Sequence, residues 1–238
     1  MTKGNETTNS TAWSGDTPNP MLVQAEIERI GAETLYLRAQ TRKEDYIAKQ
    51  HEFAADEARR LHDTIRNSND QNRVYDYIGP INTQSTEVCM QNLSRWKRQS
   101  KDTITIRISS PGGSVIDGLA LYDFIGGIKA SGIPVRVVVL GIAASMAGVL
   151  LQAGDVRIVG PNARFLVHEI SGGSIGKLSD LEDETKLYKA LNDQLYDLLA
   201  ARSKMTRKEI ELKAKRRDWW MDAKTVLDLG FCDEIGYE

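Results

Sequence analysis

Cysteine is nearly absent. Cys89 and Cys232 are the only two in 238 residues, and they stand far apart with no CxxC. This excludes a disulfide-stapled scaffold and a zinc ribbon, and it suits a reducing compartment. Histidine is almost as scarce, with His51, His62 and His168 the whole supply. No HExxH or clustered ligand spacing occurs, so neither a metal nor a cofactor is expected. A Walker lysine motif and a GxGxxG are both missing, so any use of ATP would belong to a partner. Net charge is low as well. The 31 Lys and Arg against 33 Asp and Glu leave -2, which gives no electrostatic case for nucleic acid or an anionic membrane. No apolar run is long enough to span a bilayer. The N-terminal stretch MTKGNETTNSTAWSGDTPNP has no apolar leader region. A soluble cytoplasmic protein is the expectation.

What the chain does have is enough apolar residues, 41%, for a sizeable core. Its length allows one large domain or one domain with an appendage. Residues 1–20 are rich in Thr, Asn, Ser, Gly and Pro and read as a disordered tail. Residues 21–72 read as an extension. Residues 22–29 and 34–39 alternate in polarity, which predicts a β-hairpin turning at 30–33. From Thr41 to about Ile65 the pattern is helical, with Thr41 and Glu44 as a capping box. The polar run 67–72 marks the boundary. From residue 73 onward, strand and helix patterns alternate. Strands are predicted at 74–78, 103–108, 135–140, 156–159 and 165–168, with a last one within 231–235. Helices are predicted at 85–99, 115–130, 143–152, 177–201, 206–215 and 222–229. This spacing argues for an α/β layered domain.

The stretch from Val135 to Leu151 organises the rest. A β-branched run reaches Leu140, Gly141 interrupts it, and a small-residue helix pattern follows, with Ser145 at the seam. A hydroxyl there stands beside unpaired helix-start amides that suit an oxyanion. It equally suits a plain N-cap or a small core residue. His168, at the end of a short strand and before Gly172-Gly173, reads either as a satisfied half-buried histidine or as the base a serine nucleophile needs. Asp155, Asp218, Asp222 and Asp233 are candidates to orient it. Asp218 stands out because Trp219 and Trp220 would shield it from water. Gly112-Gly113 after a strand can bring a bare amide to a reacting carbonyl. The nucleophile elbow G-x-S-x-G is absent around Ser145, which disfavours an α/β-hydrolase.

Four motifs in order, SPGGSVIDGLALYDFI, LGIAASMAG, PNARFLVHEISGG and KRRDWWMDAKTVLDLGFCDEI, resemble the caseinolytic (Clp) protease proteolytic subunit family. The resemblance covers Val74 to the C-terminus, and residues 1–72 find no counterpart in it. It implies an α/β chain with the ClpP/crotonase-like fold of repeated ββα units, here carrying an N-terminal hairpin-plus-helix extension. It implies a serine endopeptidase with Ser145 as nucleophile, His168 as base and Asp218 as orienting carboxylate. Gly113 and Met146 would supply the oxyanion-hole amides. Gly113, Ser114 and Val115 on one side and Ile170, Ser171 and Gly172 on the other would hold an extended substrate. The resemblance further implies polypeptide substrates and a homo-oligomeric seven-membered ring, two of them stacked into a chamber. The helix over 177–201 would join the rings, and a separate AAA+ unfoldase would feed them. Ile142 and Ile170 stand where the family commonly has Gln and Pro, and Arg216 where an acidic residue is common. A phage prohead maturation protease cleaving scaffold or capsid proteins is the main alternative. A non-catalytic ring subunit and an acyl-CoA enzyme of the same fold are also on the table, and an intact triad speaks against both.

Overall fold

The computed structural model describes residues 19–173 and 175–238. The tail expected over 1–20 lies outside them, apart from Asn19 and Pro20. Residues 20–72 form one long helix, α1 (Pro20–Asn72). This corrects the hairpin expected over 22–39. The start is set by Asn19, whose side chain accepts from the Met21 amide at 3.0 Å. Pro20 takes the first helical position, where its missing N–H costs nothing. Polar pairs then follow at helical spacing. Gln24 bonds Glu28, Arg29 bonds Glu26 and reaches Glu33, and Gln40 bonds Tyr36. Gly31 costs about 1 kcal/mol inside a helix, too little to stop it. Thr41 is interior and donates to the Leu37 carbonyl at 3.0 Å, so it caps nothing. The polar run 67–72 is helical as well, and the chain leaves α1 at Arg73 with φ 53. The two compact units divide between Thr64 and Ile65, upstream of the boundary expected at residue 72.

The second unit is an α/β layer built on a parallel sheet. Its elements are β1 (Val74–Ile78), α2 (Thr83–Gln99), β2 (Ile104–Ser110), α3 (Val115–Ala130), β3 (Val135–Ala144), α4 (Met146–Leu151), β4 (Val156–Val159) and β5 (Arg164–Val167). After these come α5 (Leu178–Ala201), α6 (Arg207–Ala214), β6 (Trp219–Asp222), α7 (Ala223–Asp228) and β7 (Glu234–Ile235). The order β1-β2-β3-β4-β7 is parallel throughout, and parallel neighbours require crossover helices. Alternation in β2 turns Ile104, Ile106, Ile108 and Ser110 inward. Thr86, Cys89, Leu93 and Trp96 of α2 and Leu121, Ile125 and Ile128 of α3 are buried in the same core. Val137, Val138 and Val139 are all buried, so β3 is covered on both faces.

The strand expected to stop at Leu140 continues to Ala144. Gly141, at φ 81, kinks it rather than ending it. Before the kink β3 pairs with β2 and β4, and the β2 pairing resumes past it, after a register shift, at Ala143 opposite Ser110. After it, Ile142, Ala143 and Ala144 pair with Arg164, Phe165 and Leu166 of β5. The following helix therefore starts at Met146 instead of Ala143. A strand at Trp219–Asp222, unforeseen in the sequence, pairs antiparallel with β5. The C-terminal segment is pinned by the almost fully buried Arg157. Its guanidinium bonds Asp233 at 2.5 Å and Gln152 at 2.6 Å and reaches the carbonyls of Arg202, Gly230 and Phe231.

Candidate functional site

Three chain segments meet where β2, β3 and β5 end. The first is the turn after β2. The buried Ser110 hydroxyl accepts from the Gly112 amide at 3.1 Å. Ile81 then borders the turn as a parallel bridge: its amide donates to the Gly112 carbonyl and its carbonyl accepts from Ser114, both at 2.8 Å. In extended backbone, successive amides point to opposite sides. With Gly112 O and Ser114 N facing Ile81, the Gly113 amide faces away from it and meets no acceptor among the described residues. Close approach demands glycine here. A Cβ on Gly113 would lie 2.2 Å from the Ile81 carbonyl oxygen, and one on Gly112 would lie 2.6 Å from Ala144 O and 2.7 Å from the Ser145 Cβ.

The second segment is the seam between β3 and α4. Ser145 has φ 58 and ψ -126, a conformation side chains rarely adopt; such strain costs about 1–3 kcal/mol. Two backbone bonds hold it, Ser145 N to Leu166 O at 2.9 Å and Gly148 N to Ser145 O at 3.0 Å. Ser145 stands at the N-cap position, yet its hydroxyl caps nothing. The Met146 amide, next along, has no acceptor among the described residues, as expected of a first helical residue. The Met146 side chain is fully buried and lies against Gly118 of α3, where a Cβ would come within 2.3 Å. Packing therefore fixes the seam from below.

The third segment is the end of the β5–β6 pair. The ladder runs from Arg164 opposite Asp222 to Val167 opposite Trp219. One further step in the same register brings His168 opposite Asp218. The His168 Nδ1 lies 3.5 Å from Asp218 Oδ1. The expected shielding of Asp218 is corrected: its side chain is 61% exposed. The Trp219 ring meets Phe231 edge-on instead, and Trp220 is largely exposed. Of the other acids considered, Asp155 pairs with Lys129, Asp222 caps α7 and Asp233 pairs with Arg157.

A narrow cleft of about 50 Å³ joins the three segments. Gly113, Val115, Ser145, Val149, Val167, His168, Ile170, Ser171, Leu195, Tyr196 and Leu199 line it. Ser145 and His168 thus share one cleft with the Gly113 turn. Ser114 stands off it, because its amide is taken by Ile81 and its hydroxyl accepts from the Asp117 amide at 3.3 Å to cap α3. Gly172 is also off the cleft, against the Tyr188 ring. Sequence reading missed the wall that α5 contributes through Leu195, Tyr196 and Leu199. Their i, i+1, i+4 spacing signals a buried face there, but nothing local says what it faces. The Ile170 amide donates to Asn192 Oδ1 of α5 at 3.1 Å. Neither cysteine competes for a nucleophilic role. Burial pushes the Cys89 thiol well up and the Cys232 thiol to about 11, so neither is a thiolate near neutral pH.

The description "Clp protease" is that of the family model that matches residues 57–238, about three quarters of the chain. The match begins inside α1, upstream of the Val74 start seen by motif. A curated relative, the ATP-dependent Clp protease proteolytic subunit of Streptococcus mutans serotype c, is 35% identical over 170 residues, spanning 69% of this chain and 85% of its own length. By fold, by family model and by relative, the chain belongs to the Clp protease family and is a protease of the serine type.

Proposed function

We propose that the chain hydrolyses peptide bonds with Ser145 as nucleophile, His168 as general base and Asp218 as the carboxylate that orients it. The observation that carries this reading is the His168 Nδ1 facing Asp218 at the rim of the cleft that also holds Ser145. With Nδ1 turned to the carboxylate, Nε2 is the ring nitrogen left to accept a proton. Ser145 Oγ attacks the scissile carbonyl carbon while Nε2 takes its proton. Asp218 stabilises the imidazolium that forms. The amides of Gly113 and Met146 donate to the oxyanion, each worth on the order of 3 kcal/mol in the transition state. His168 then protonates the leaving amine. Water, deprotonated by the same nitrogen, releases the acyl group and restores Ser145. The strained backbone at Ser145 fits this role, since strain of this kind gathers where a side chain must be held in one attacking position.

The substrate class is an extended polypeptide laid between the Gly113–Val115 and Ile170–Ser171 edges. The apolar walls of Val115, Val149, Leu195 and Leu199 favour an apolar side chain beside the scissile bond. The proposed assembly is a ring of identical chains, in cytoplasm, with a separate ATP-driven unfoldase delivering folded substrates. Support for the assembly comes from α5: its buried residues are confined to Leu195, Tyr196 and Leu199, while Leu178 and Leu187 are exposed. An amphipathic half-helix without cover suits contact with another copy.

The test is Ser145→Ala in the full chain. Peptide hydrolysis and fluorophosphonate labelling should both vanish while the native mass of the particle is unchanged. Labelling that persists in the variant would sink the assignment. Native mass measurement also reads the number of copies directly.

A further inference from the structure

The residue after His168 is tied to the residue that begins the approach to Asp218. The Glu169 carboxylate accepts a hydrogen bond from the Arg216 amide at 2.8 Å. Ladder pairing between β5 and β6 ends at Val167 and Trp219. Beyond that point the two chains carry His168 and Asp218, and no paired strand holds them together. The Glu169 side chain does there what a backbone carbonyl does within the ladder. It clamps the two chains just past the His168–Asp218 pair. The clamped amide belongs to a residue with φ 58, so the turn out of α6 arrives in a conformation that needs holding. The pair it frames is 3.5 Å apart, beyond ordinary hydrogen-bond distance, and Asp218 is exposed enough to swing into solvent.

We propose that Glu169 is a positioning residue for the triad: its carboxylate, by holding the Arg216 amide, keeps Asp218 against His168. This rests on the Ser145–His168–Asp218 reading above. Glu169 does not touch the substrate and lies outside the residues that line the cleft. Its requirement is an acceptor, not a charge, because its partner is a neutral amide. A glutamine, whose Oε1 can accept the same bond, therefore serves in its place. Without the bond, Asp218 orients His168 only part of the time, and catalysis falls while substrate binding does not.

The experiment compares Glu169→Ala, Glu169→Gln, Asp218→Ala and the Glu169→Ala/Asp218→Ala pair in the full assembled chain. The readouts are kcat and KM on a fluorogenic peptide, the fluorophosphonate labelling rate, and native mass. Glu169→Ala should lower kcat and the labelling rate about tenfold, the effect of losing one hydrogen bond to a charged acceptor, with KM unchanged. Glu169→Gln should restore kcat to within about threefold. In the Asp218→Ala background, Glu169→Ala should cost nothing further, because the group it positions is gone. Wild-type kcat in Glu169→Ala would overturn the proposal. So would a loss in Glu169→Gln as deep as that in Glu169→Ala, or losses that multiply in the double variant. Labelling that survives Ser145→Ala overturns the triad reading beneath it, whereas loss of labelling in Ser145→Ala with full kcat in Glu169→Ala overturns the positioning role alone.

Discussion

Gly112→Ala tests whether the seam at Ser145 is where chemistry occurs, without replacing any proposed catalytic group. The new Cβ would lie 2.6 Å from the Ala144 carbonyl oxygen, 2.7 Å from the Ser145 Cβ and 3.2 Å from the Met146 amide nitrogen. Those three atoms belong to backbone or to a side chain with no slack, so the two segments must separate by roughly 0.8 Å to reach contact distance. Gly112 also has φ +91, where an L side chain adds about 1–2 kcal/mol of backbone strain. Both effects move Ser145 and the Met146 amide together, away from the Gly113 amide. Since a misplacement of 1 Å can cost about a hundredfold in rate, a shift close to that should lower kcat by about ten- to a hundredfold. KM should change little, because the apolar walls of Val149, Leu195 and Leu199 are untouched. The assay is steady-state peptide hydrolysis beside the fluorophosphonate labelling rate, with thermal unfolding as the fold check. Gly127→Ala is the control: its Cβ meets nothing within 4 Å, it lies inside α3, and it should add about 0.5–1 kcal/mol of stability at an unchanged labelling rate. A folded Gly112→Ala chain that labels as fast as wild type would refute the placement of the reaction at this seam.

Acid stability has a local source at Asp233. Burial pushes its carboxyl upward, but the bonds from Arg157 outweigh that and hold it below its ordinary 3.8. A carboxyl lowered in the folded state stabilises above its unfolded value, and the benefit is lost as pH falls through the lowered one. The side chain is 41% exposed, so the pH-dependent share is screened to about 1 kcal/mol. The stability gap between wild type and Asp233→Asn should narrow in urea titrations as pH drops from neutral toward about 2; a gap constant with pH contradicts this. Truncation separates the two compact units. Removing residues 1–64 should leave the melting temperature of the remaining chain unchanged. Removing residues 1–72 also strips Asp70 from Arg95 and Asn69 from Asp76, and should lower it by roughly 2–6 °C. Equal melting temperatures for the two truncations would show that those contacts carry no stability.

Much of the second unit was legible because its periods are clean. The alternation of TITIRI matches β2, and the apolar spacing within 85–99 and 115–130 matches the buried faces of α2 and α3. The errors have physical causes. In α1, short two-residue alternations outweighed the Asn19-Pro20 start and the i, i+4 polar pairs, which need a longer window to read. At Gly141 a glycine reads as a stop, but a positive φ within a strand also lets the strand change partners. Trp219–Asp222 lacks alternation and lies between two helices, so only its partner β5 makes it a strand. In the site, Ser145, His168 and Gly113 were legible as motif residues. The bare exposure of Asp218 was not, since where the Trp219 ring goes depends on Phe231, far along the chain. The Glu169–Arg216 bond spans 47 residues and leaves no local trace.

The kink at Gly141 makes β3 a measuring rod. Its first half takes register from β2, whose far end carries the Gly112-Gly113 turn. Its second half takes register from β5, whose far end carries His168. The serine sits one residue past the rod's tip. The count of residues from Val135 to Ser145 therefore sets the offset of the serine from both other parts of the site at once. A single insertion or deletion beyond the bulge at Gly141, where β3 spends more residues than β2 between paired positions, would throw it out of step with each. The connection between α2 and β2 bears no such constraint. An added residue there is expected to leave the distance between Ser145 and its neighbours unchanged.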